Sequence, residues 1–169
     1  MIELLILYVL NKNDNTLYGL KKEISAHYGE VSIPSHGALF PALKKLEAQG
    51  LVSVRKKLSE GGKKYTYYNI NKNAIEYFNE KFMEFNNAKS ETLENFLFWL
   101  KIRFIVIDML DKNLLENFKE RSHLKLEMYK NSILKKNENK YIELTELQIA
   151  IQKQYLCEIE VFENLLNQI

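Results

Sequence analysis

Both prolines and all six glycines of this 169-residue chain lie within its first 62 residues. Proline and glycine are the residues that most often end helices and form turns. The remaining residues contain neither type, and their apolar residues recur at helical spacing. The distribution therefore predicts a first part with several turns and a second part that is helical almost throughout.

Three short helices are predicted in the first part. The apolar run from Ile2 to Leu10 forms the first and ends at a polar cluster over residues 11–15. Thr16 is a candidate N-cap for the second. The third is predicted from Ser35, another N-cap candidate, to Gly50, because leucines recur at i, i+4 and i+7 between them. Pro41 lies inside this third helix and is expected to bend it slightly or to make its first turn irregular.

A β-hairpin is predicted after the third helix. Residues 51–58 alternate apolar and polar side chains, residues 65–70 are rich in tyrosine and threonine, and a turn containing Gly61 and Gly62 joins the two strands. Lys63 and Lys64 form a basic shoulder beside the turn. Three helices followed by a basic hairpin is the order of a winged helix-turn-helix, in which the third helix enters the major groove of DNA.

The second half is predicted to be all-helical and to form a homodimer. Its last helix carries an apolar stripe at roughly 3.5-residue spacing, made of Leu147, Ile151, Tyr155, Phe162, Leu166 and Ile169. We expect a winged helix-turn-helix domain over residues 1–72 and a helical dimerisation domain over residues 73–169, so that the fold class is mostly α with a small β-hairpin. The alternative is that the stripe packs within one chain against Phe118, Tyr129 and Ile133.

The two halves carry opposite net charge. Residues 1–72 contain 11 Lys and Arg against 6 Asp and Glu, a net +5, whereas residues 73–169 contain 13 against 16, a net −3. A basic part joined to an acidic part suggests that the first half binds a polyanion. Random scatter of surface charge is the alternative explanation.

Several classes of protein are disfavoured. Cys157 is the only cysteine, so a disulfide within one chain is excluded, and we expect this thiol in a helical core. The three histidines lack metal-site or nucleophile–base spacing, so we expect neither an enzyme, nor a bound metal, nor a cofactor. The apolar runs at residues 1–10 and 96–110 lack the features of a signal peptide and of a membrane span, which favours a cytoplasmic protein.

Three segments of the first half resemble the PadR-like transcriptional regulators. They are Leu17-Tyr18-Gly19-Leu20; the run from Ser35 to Leu43 with Leu46-Glu47 and Gly50-Leu51-Val52; and Glu60 to Lys64 followed by Tyr67-Tyr68. The resemblance implies a winged helix that binds DNA, and it accounts for Pro41. Three positions depart from the usual pattern: Phe40 replaces a common tyrosine, Thr66 a common basic residue, and Ala74 a frequent glycine.

The candidate DNA-binding residues follow from helix and wing geometry. Ser35, His36, Gly37 and Ala38 lie at a helix N-terminus, where free N–H groups bind phosphate and small residues permit close approach. Capping alone also explains Ser35, and a plain surface position explains His36. The remaining candidates can contact phosphates; they are Tyr18, Lys44, Lys45, Lys63 and Lys64.

We therefore predict a sequence-specific, DNA-binding transcription regulator, expected to act as a repressor on a palindromic operator. Phe96 and Trp99 are candidates for lining a pocket for a small apolar or aromatic effector, although packing in the core or at the dimer interface is the preferred explanation. Two alternatives remain: a winged-helix module that binds proteins and not DNA, and a ligand-binding dimer that has lost its DNA site.

Overall fold

The computed structural model describes residues 2–28, 35–58, 61–86, 92–138 and 144–169. Contacts divide the chain into two compact units, an N-terminal unit of residues 1–87 with 105–110 and a C-terminal unit of residues 88–104 with 111–169. The elements are α1 (Ile2–Lys12), α2 (Leu17–Tyr28), α3 (His36–Ala48), β1 (Val52–Leu58), β2 (Lys64–Ile70), α4 (Ala74–Asn86), α5 (Leu93–Ile105), α6 (Lys112–Glu138) and α7 (Glu146–Gln168). The predicted fold class, mostly α with one hairpin, is confirmed. The domain boundary after Lys72 stays a prediction.

Helix α1 is the centre of the N-terminal unit. Every residue from Leu4 to Leu10 is buried, so this helix is covered on all sides and not along one stripe. It packs against α2, α3, α4 and β2. Leucines of α2 and α3 and phenylalanines of α4 complete the core.

The expected caps of α2 and α3 are present. The Thr16 hydroxyl accepts a hydrogen bond from the Gly19 amide at 3.1 Å, and the Ser35 hydroxyl accepts one from the Ala38 amide at 3.2 Å. Gly50 follows α3 with φ +69°, a left-handed conformation that favours glycine. Pro41 lies inside α3, which continues as one α-helix from His36 to Ala48.

The two strands pair antiparallel, with Val52 opposite Ile70 at the base and Leu58 opposite Lys64 near the turn. The structure adds a pairing that the sequence analysis missed. Asn15 lies in the polar cluster before α2 and forms a β-bridge with Tyr68, with N–H to O distances of 3.1 and 2.8 Å. The segment between α1 and α2 therefore holds the hairpin to the helices.

The C-terminal unit is built from α5, α6 and α7. Phe104 of α5 packs edge-on against Phe118 of α6 and stacks on Phe162 of α7, with ring centroids 5.7 Å apart in both pairs. Helix α5 ends at Ile105 and is followed by a short 3-10 turn over Ile107–Met109. Cys157 is exposed, which corrects the expectation of a core thiol.

Candidate nucleic-acid interface

The N-terminal turn of α3 is exposed. Ser35, Gly37 and Ala38 all lie on the surface, and the Ser35 hydroxyl is occupied by capping the Ala38 amide. A Cβ on Gly37 would meet only the Ser35 hydroxyl, at 3.5 Å, so the turn is open for the approach of another molecule. The side chain of His36 lies outside the described residues, so its candidate role stays a prediction.

One face of α3 is turned to solvent along the whole helix. Gly37, Phe40, Pro41, Lys44 and Ala48 are exposed, and at 100° per residue they fall within about a third of the helix circumference. Leucines occupy the opposite face and are fully buried. The packing of these leucines therefore holds α3 in one orientation with the same face exposed. A helix that enters a DNA groove needs a fixed orientation of this kind.

The two lysines of α3 have different environments. The Lys44 ammonium lies 2.7 Å from the Glu47 carboxylate and 5.8 Å from the Phe40 ring centroid, on the exposed face. The hydrogen bond to Glu47 raises the pKa of Lys44 above its ordinary value. The Lys45 ammonium is instead drawn to the side of α3, where it lies 2.7 Å from a carboxylate oxygen of Glu3 in α1.

Glu3 joins three helices. One carboxylate oxygen pairs with Lys45 of α3, and the other accepts a hydrogen bond from the Tyr77 hydroxyl of α4. Burial acts to raise the pKa of Glu3, but the hydrogen bonds from Lys45 and Tyr77 and the Lys45 charge outweigh it, so the pKa lies below its usual value. Burial and the bond to this carboxylate raise the pKa of Tyr77. Glu3 was not among the residues predicted for the site, although it is the only charged residue in the run from Ile2 to Leu10.

The hairpin carries cations on both of its faces. Antiparallel register places Lys56 opposite Thr66 on one face and Arg55 opposite Tyr67 on the other. All five cations of the wing are exposed; they are Arg55, Lys56, Lys57, Lys63 and Lys64. Two of them lie over tyrosine rings, with Lys57 5.1 Å from the Tyr67 centroid and Lys63 5.5 Å from that of Tyr65.

Tyr18 is at the start of α2 and is 71% exposed, which leaves its hydroxyl accessible to a phosphate. A Cβ on the neighbouring Gly19 would lie 1.8 Å from the amide oxygen of Asn15. Glycine at this position therefore leaves room for the Asn15 side chain, whose amide oxygen accepts a hydrogen bond from the Thr16 N–H. This explains in physical terms why glycine follows Leu17-Tyr18.

The stripe expected at the dimer interface falls on two neighbouring faces of α7. Tyr155 is half-buried, and Phe162 and Leu166 are buried within the C-terminal unit, where Phe162 stacks on Phe104. The other three residues of the stripe are exposed; they are Leu147, Ile151 and Ile169. Two further exposed apolar residues share their side of the helix, Val161 and Leu165. We call these five exposed residues the outer face of α7.

Phe96 and Trp99, the candidate effector residues, lie on α5. Phe96 is 1% exposed and packs against Tyr129 of α6, with 5.5 Å between ring centroids. Trp99 is half-buried and contacts Phe98 edge-on. Neither lines the groove of about 460 Å³ between α5 and α7 in the C-terminal unit. The groove is lined by Glu94, Asn95, Leu97, Phe98, Lys101, Gln154, Tyr155 and Glu158.

The part of the chain that the structure describes contains neither a metal-binding cluster nor a helix suited to a membrane. No group of three or more His, Cys, Asp or Glu side chains there is arranged to hold a metal ion. None of the helices in that part has the length and apolar character that crossing a membrane requires.

One family model matches part of this chain, and several solved structures resemble it. The model of the "Transcriptional regulator PadR-like family" matches residues 6–79. Among solved structures, a transcriptional regulator from Clostridium thermocellum is 26% identical, with 50% of this chain and 79% of that chain covered and a TM-score of 0.46. PadR of Bacillus subtilis in complex with operator DNA is 18% identical, with 98% and 95% covered and a TM-score of 0.47. No curated protein matches the chain.

Proposed function

We propose that this chain, whose residues 6–79 are a domain of the PadR-like family of transcriptional regulators, binds duplex DNA as a homodimer and regulates transcription. The observation that carries the proposal is the exposed face of α3 beside a hairpin with five exposed cations. A helix of this kind fits the major groove, and the hairpin cations lie where they can neutralise phosphates.

Electrostatic attraction is expected to supply much of the affinity. Each phosphate that a lysine neutralises adds about 0.9 to the slope of log K against log[salt]. Replacing both Lys63 and Lys64 with alanine should therefore weaken binding to all sequences alike and lower the slope by up to about 1.8.

The matched control replaces Lys135 and Lys136, an adjacent pair of exposed lysines on α6, with alanine. This variant has the same net charge as the wing variant, so net charge alone predicts equal effects. Fluorescence anisotropy with labelled duplexes at several salt concentrations measures both. Equal slopes in the two variants would mean that Lys63 and Lys64 do not contact DNA. If the affinity of the parent protein does not depend on salt, the alternative of a protein-binding module is favoured.

The outer face of α7 is the surface that we propose for the dimer. Its apolar residues are exposed on a helix whose inner face is already packed, and a second copy of the chain would cover them. A palindromic operator presents two half-sites about 34 Å apart, one turn of DNA, and a two-fold dimer supplies one α3 helix for each. Two half-sites also supply discrimination that one winged helix lacks.

Val161→Glu together with Leu165→Glu tests this surface by light scattering. The variant should be a monomer with half the mass of the parent. Its helix content should be unchanged, because both side chains are exposed. Leu124→Glu with Met128→Glu makes the same change on exposed residues of α6 and is the control. The proposed face is wrong if the α7 variant remains a dimer, or if only the α6 variant becomes a monomer.

We further propose that the protein is a cytoplasmic repressor and not an enzyme, and that a small aromatic or apolar effector releases it from DNA. Since Phe96 is a core residue, the groove between α5 and α7 is the better place for such a ligand. A reporter gene placed behind a DNA sequence that the protein binds measures whether the protein lowers or raises transcription. Expression that rises with the protein would refute the repressor role.

A further inference from the structure

The exposed face of α3 is poor in groups that can read bases by hydrogen bonds. Gly37, Phe40, Pro41 and Ala48 have no side-chain donor or acceptor, and Pro41 has no backbone N–H. The side chain of His36, which precedes Gly37, lies outside the described residues. Bidentate contacts to guanine or adenine require Arg, Lys, Asn or Gln, and among the described side chains of this face only Lys44 is of these types.

Lys44 is partly committed within the helix. Its ammonium lies 2.7 Å from Glu47 and above the Phe40 ring, so a contact to guanine would break an ion pair that is already formed. The Glu47 carboxylate also offsets the positive charge at this point of α3. The attraction to phosphate is supplied by the hairpin, whose cations are exposed.

Phe40 is the large apolar group on this face. It is 45% exposed, although Leu39 and Leu43 beside it are completely buried. Gly37 lies one turn before it and has no side chain to keep DNA at a distance. In the major groove, the apolar feature that distinguishes one base from the others is the C5 methyl group of thymine.

We infer that α3 recognises thymine methyl groups in the major groove, and that Phe40 is the residue that determines this specificity. The inference rests on the proposed function, since it requires that α3 enters the groove. Operator half-sites should then carry a thymine at one or two adjacent positions facing Phe40. Phosphate contacts from the wing set the affinity for all sequences, and the apolar contact sets the preference among them.

The test removes the methyl group and nothing else. Duplexes are first selected from a random pool by the purified 169-residue chain. Each thymine of the selected half-site is then replaced singly by uracil, which keeps the base pair and O4. Burying one methyl-sized group changes affinity about fourfold. We expect a loss of about fourfold at one or two adjacent positions and none elsewhere.

Phe40→Ala completes the test as a double-mutant cycle. This variant should bind the thymine and uracil duplexes equally, because the partner of the methyl group is gone. Leu58→Ala is the control: Leu58 is a 68% exposed apolar residue of the wing, so its loss should leave the thymine-to-uracil effect at its parental size. Circular dichroism verifies that both variants fold, as expected for exposed positions.

The outcomes separate this inference from the proposed function. If the parent binds selected duplexes in a salt-dependent way but tolerates uracil at every position, the recognition of thymine methyls is wrong and the proposed function stands. If the uracil effect persists in Phe40→Ala, another residue reads the methyl and the assignment to Phe40 is wrong. If the chain does not bind duplex DNA at all, both fail.

Discussion

Replacing Glu3 with glutamine should loosen the attachment of α3 to α1 and α4. The carboxylate is 15% exposed and accepts hydrogen bonds from Lys45 and Tyr77. Bonds to charged groups contribute about 1.5–3 kcal/mol when buried, but the Lys45 side chain is 56% exposed, which brings its share below about 1 kcal/mol. The amide oxygen of glutamine can still accept from Tyr77. We therefore expect a loss of about 1 kcal/mol in the free energy of unfolding at neutral pH.

The pH dependence of this loss has a definite sign. Because the pKa of Glu3 is lowered in the folded protein, the carboxylate stabilises the fold above its unfolded pKa of about 4.3. This contribution disappears as the pH falls through the folded value. The difference between parent and Glu3→Gln should thus be full at pH 7 and shrink below about pH 4.

Urea unfolding followed by circular dichroism at several pH values measures the effect, and a cycle with Lys45→Ala isolates the pair. In the double variant the two losses should not add, since both remove the same contact. An unfolding free energy that is unchanged at pH 7, or a difference that stays constant down to pH 3, would refute the assignment of Glu3 as the carboxylate that holds α3.

The same cluster changes what is expected of Lys45 in DNA binding. A lysine that contacts phosphate adds about 0.9 to the salt slope, whereas one that positions α3 changes affinity and leaves the slope alone. The structure favours the second behaviour for Lys45. A slope that drops by about 0.9 in Lys45→Ala would restore the phosphate contact predicted from the sequence.

Five further substitutions give expectations that urea unfolding can check. Gly19→Ala should destabilise the N-terminal unit, because its Cβ would lie 1.8 Å from the Asn15 side chain. Gly37→Ala should be neutral or stabilising by up to about 1 kcal/mol, since Gly37 has open space around it in a helix. Equal effects of the two substitutions would contradict this contrast. Ser35→Ala should cost about 1 kcal/mol through the lost cap, and no loss would mean that the cap is not needed. Phe162→Ala should lower the free energy of unfolding by about 3–5 kcal/mol, whereas Leu165→Ala should lower it little in a monomer. A larger loss in Leu165→Ala would mean that the inner and outer faces of α7 are assigned the wrong way round.

The sequence predicted the parts of the fold that local patterns determine. Thr16, Ser35 and Gly50 delimit helices by chemistry that acts over three or four residues, and each has the predicted role. The Asn15 bridge to Tyr68 was missed because it joins residues far apart, and the polar residues around Asn15 resemble an ordinary loop.

The candidate site was predicted less completely, for a similar reason. Helical periodicity placed Lys45 on an exposed face, but only the three-dimensional packing shows that Glu3 lies within reach of its ammonium. On α7, the apolar residues were assigned to one stripe because they recur about every 3.5 residues. A helix has 3.6 residues per turn, so these residues lie on two neighbouring faces. The pattern identified apolar positions without showing that Phe162 and Leu166 are covered by the same chain.

The long-range bonds of the N-terminal unit also bear on how it folds. Glu3 accepts a hydrogen bond from Tyr77, Asp14 accepts one from Asn69 at 2.7 Å, and Asn15 pairs with Tyr68, so α1 and the segment after it are joined directly to β2 and α4. Contacts between residues so distant in sequence slow folding, because a long loop must close before they form. During synthesis, this unit cannot complete its fold before α4 has left the ribosome, because a nascent chain that stops at the end of the hairpin still lacks Tyr77, the α4 partner of Glu3.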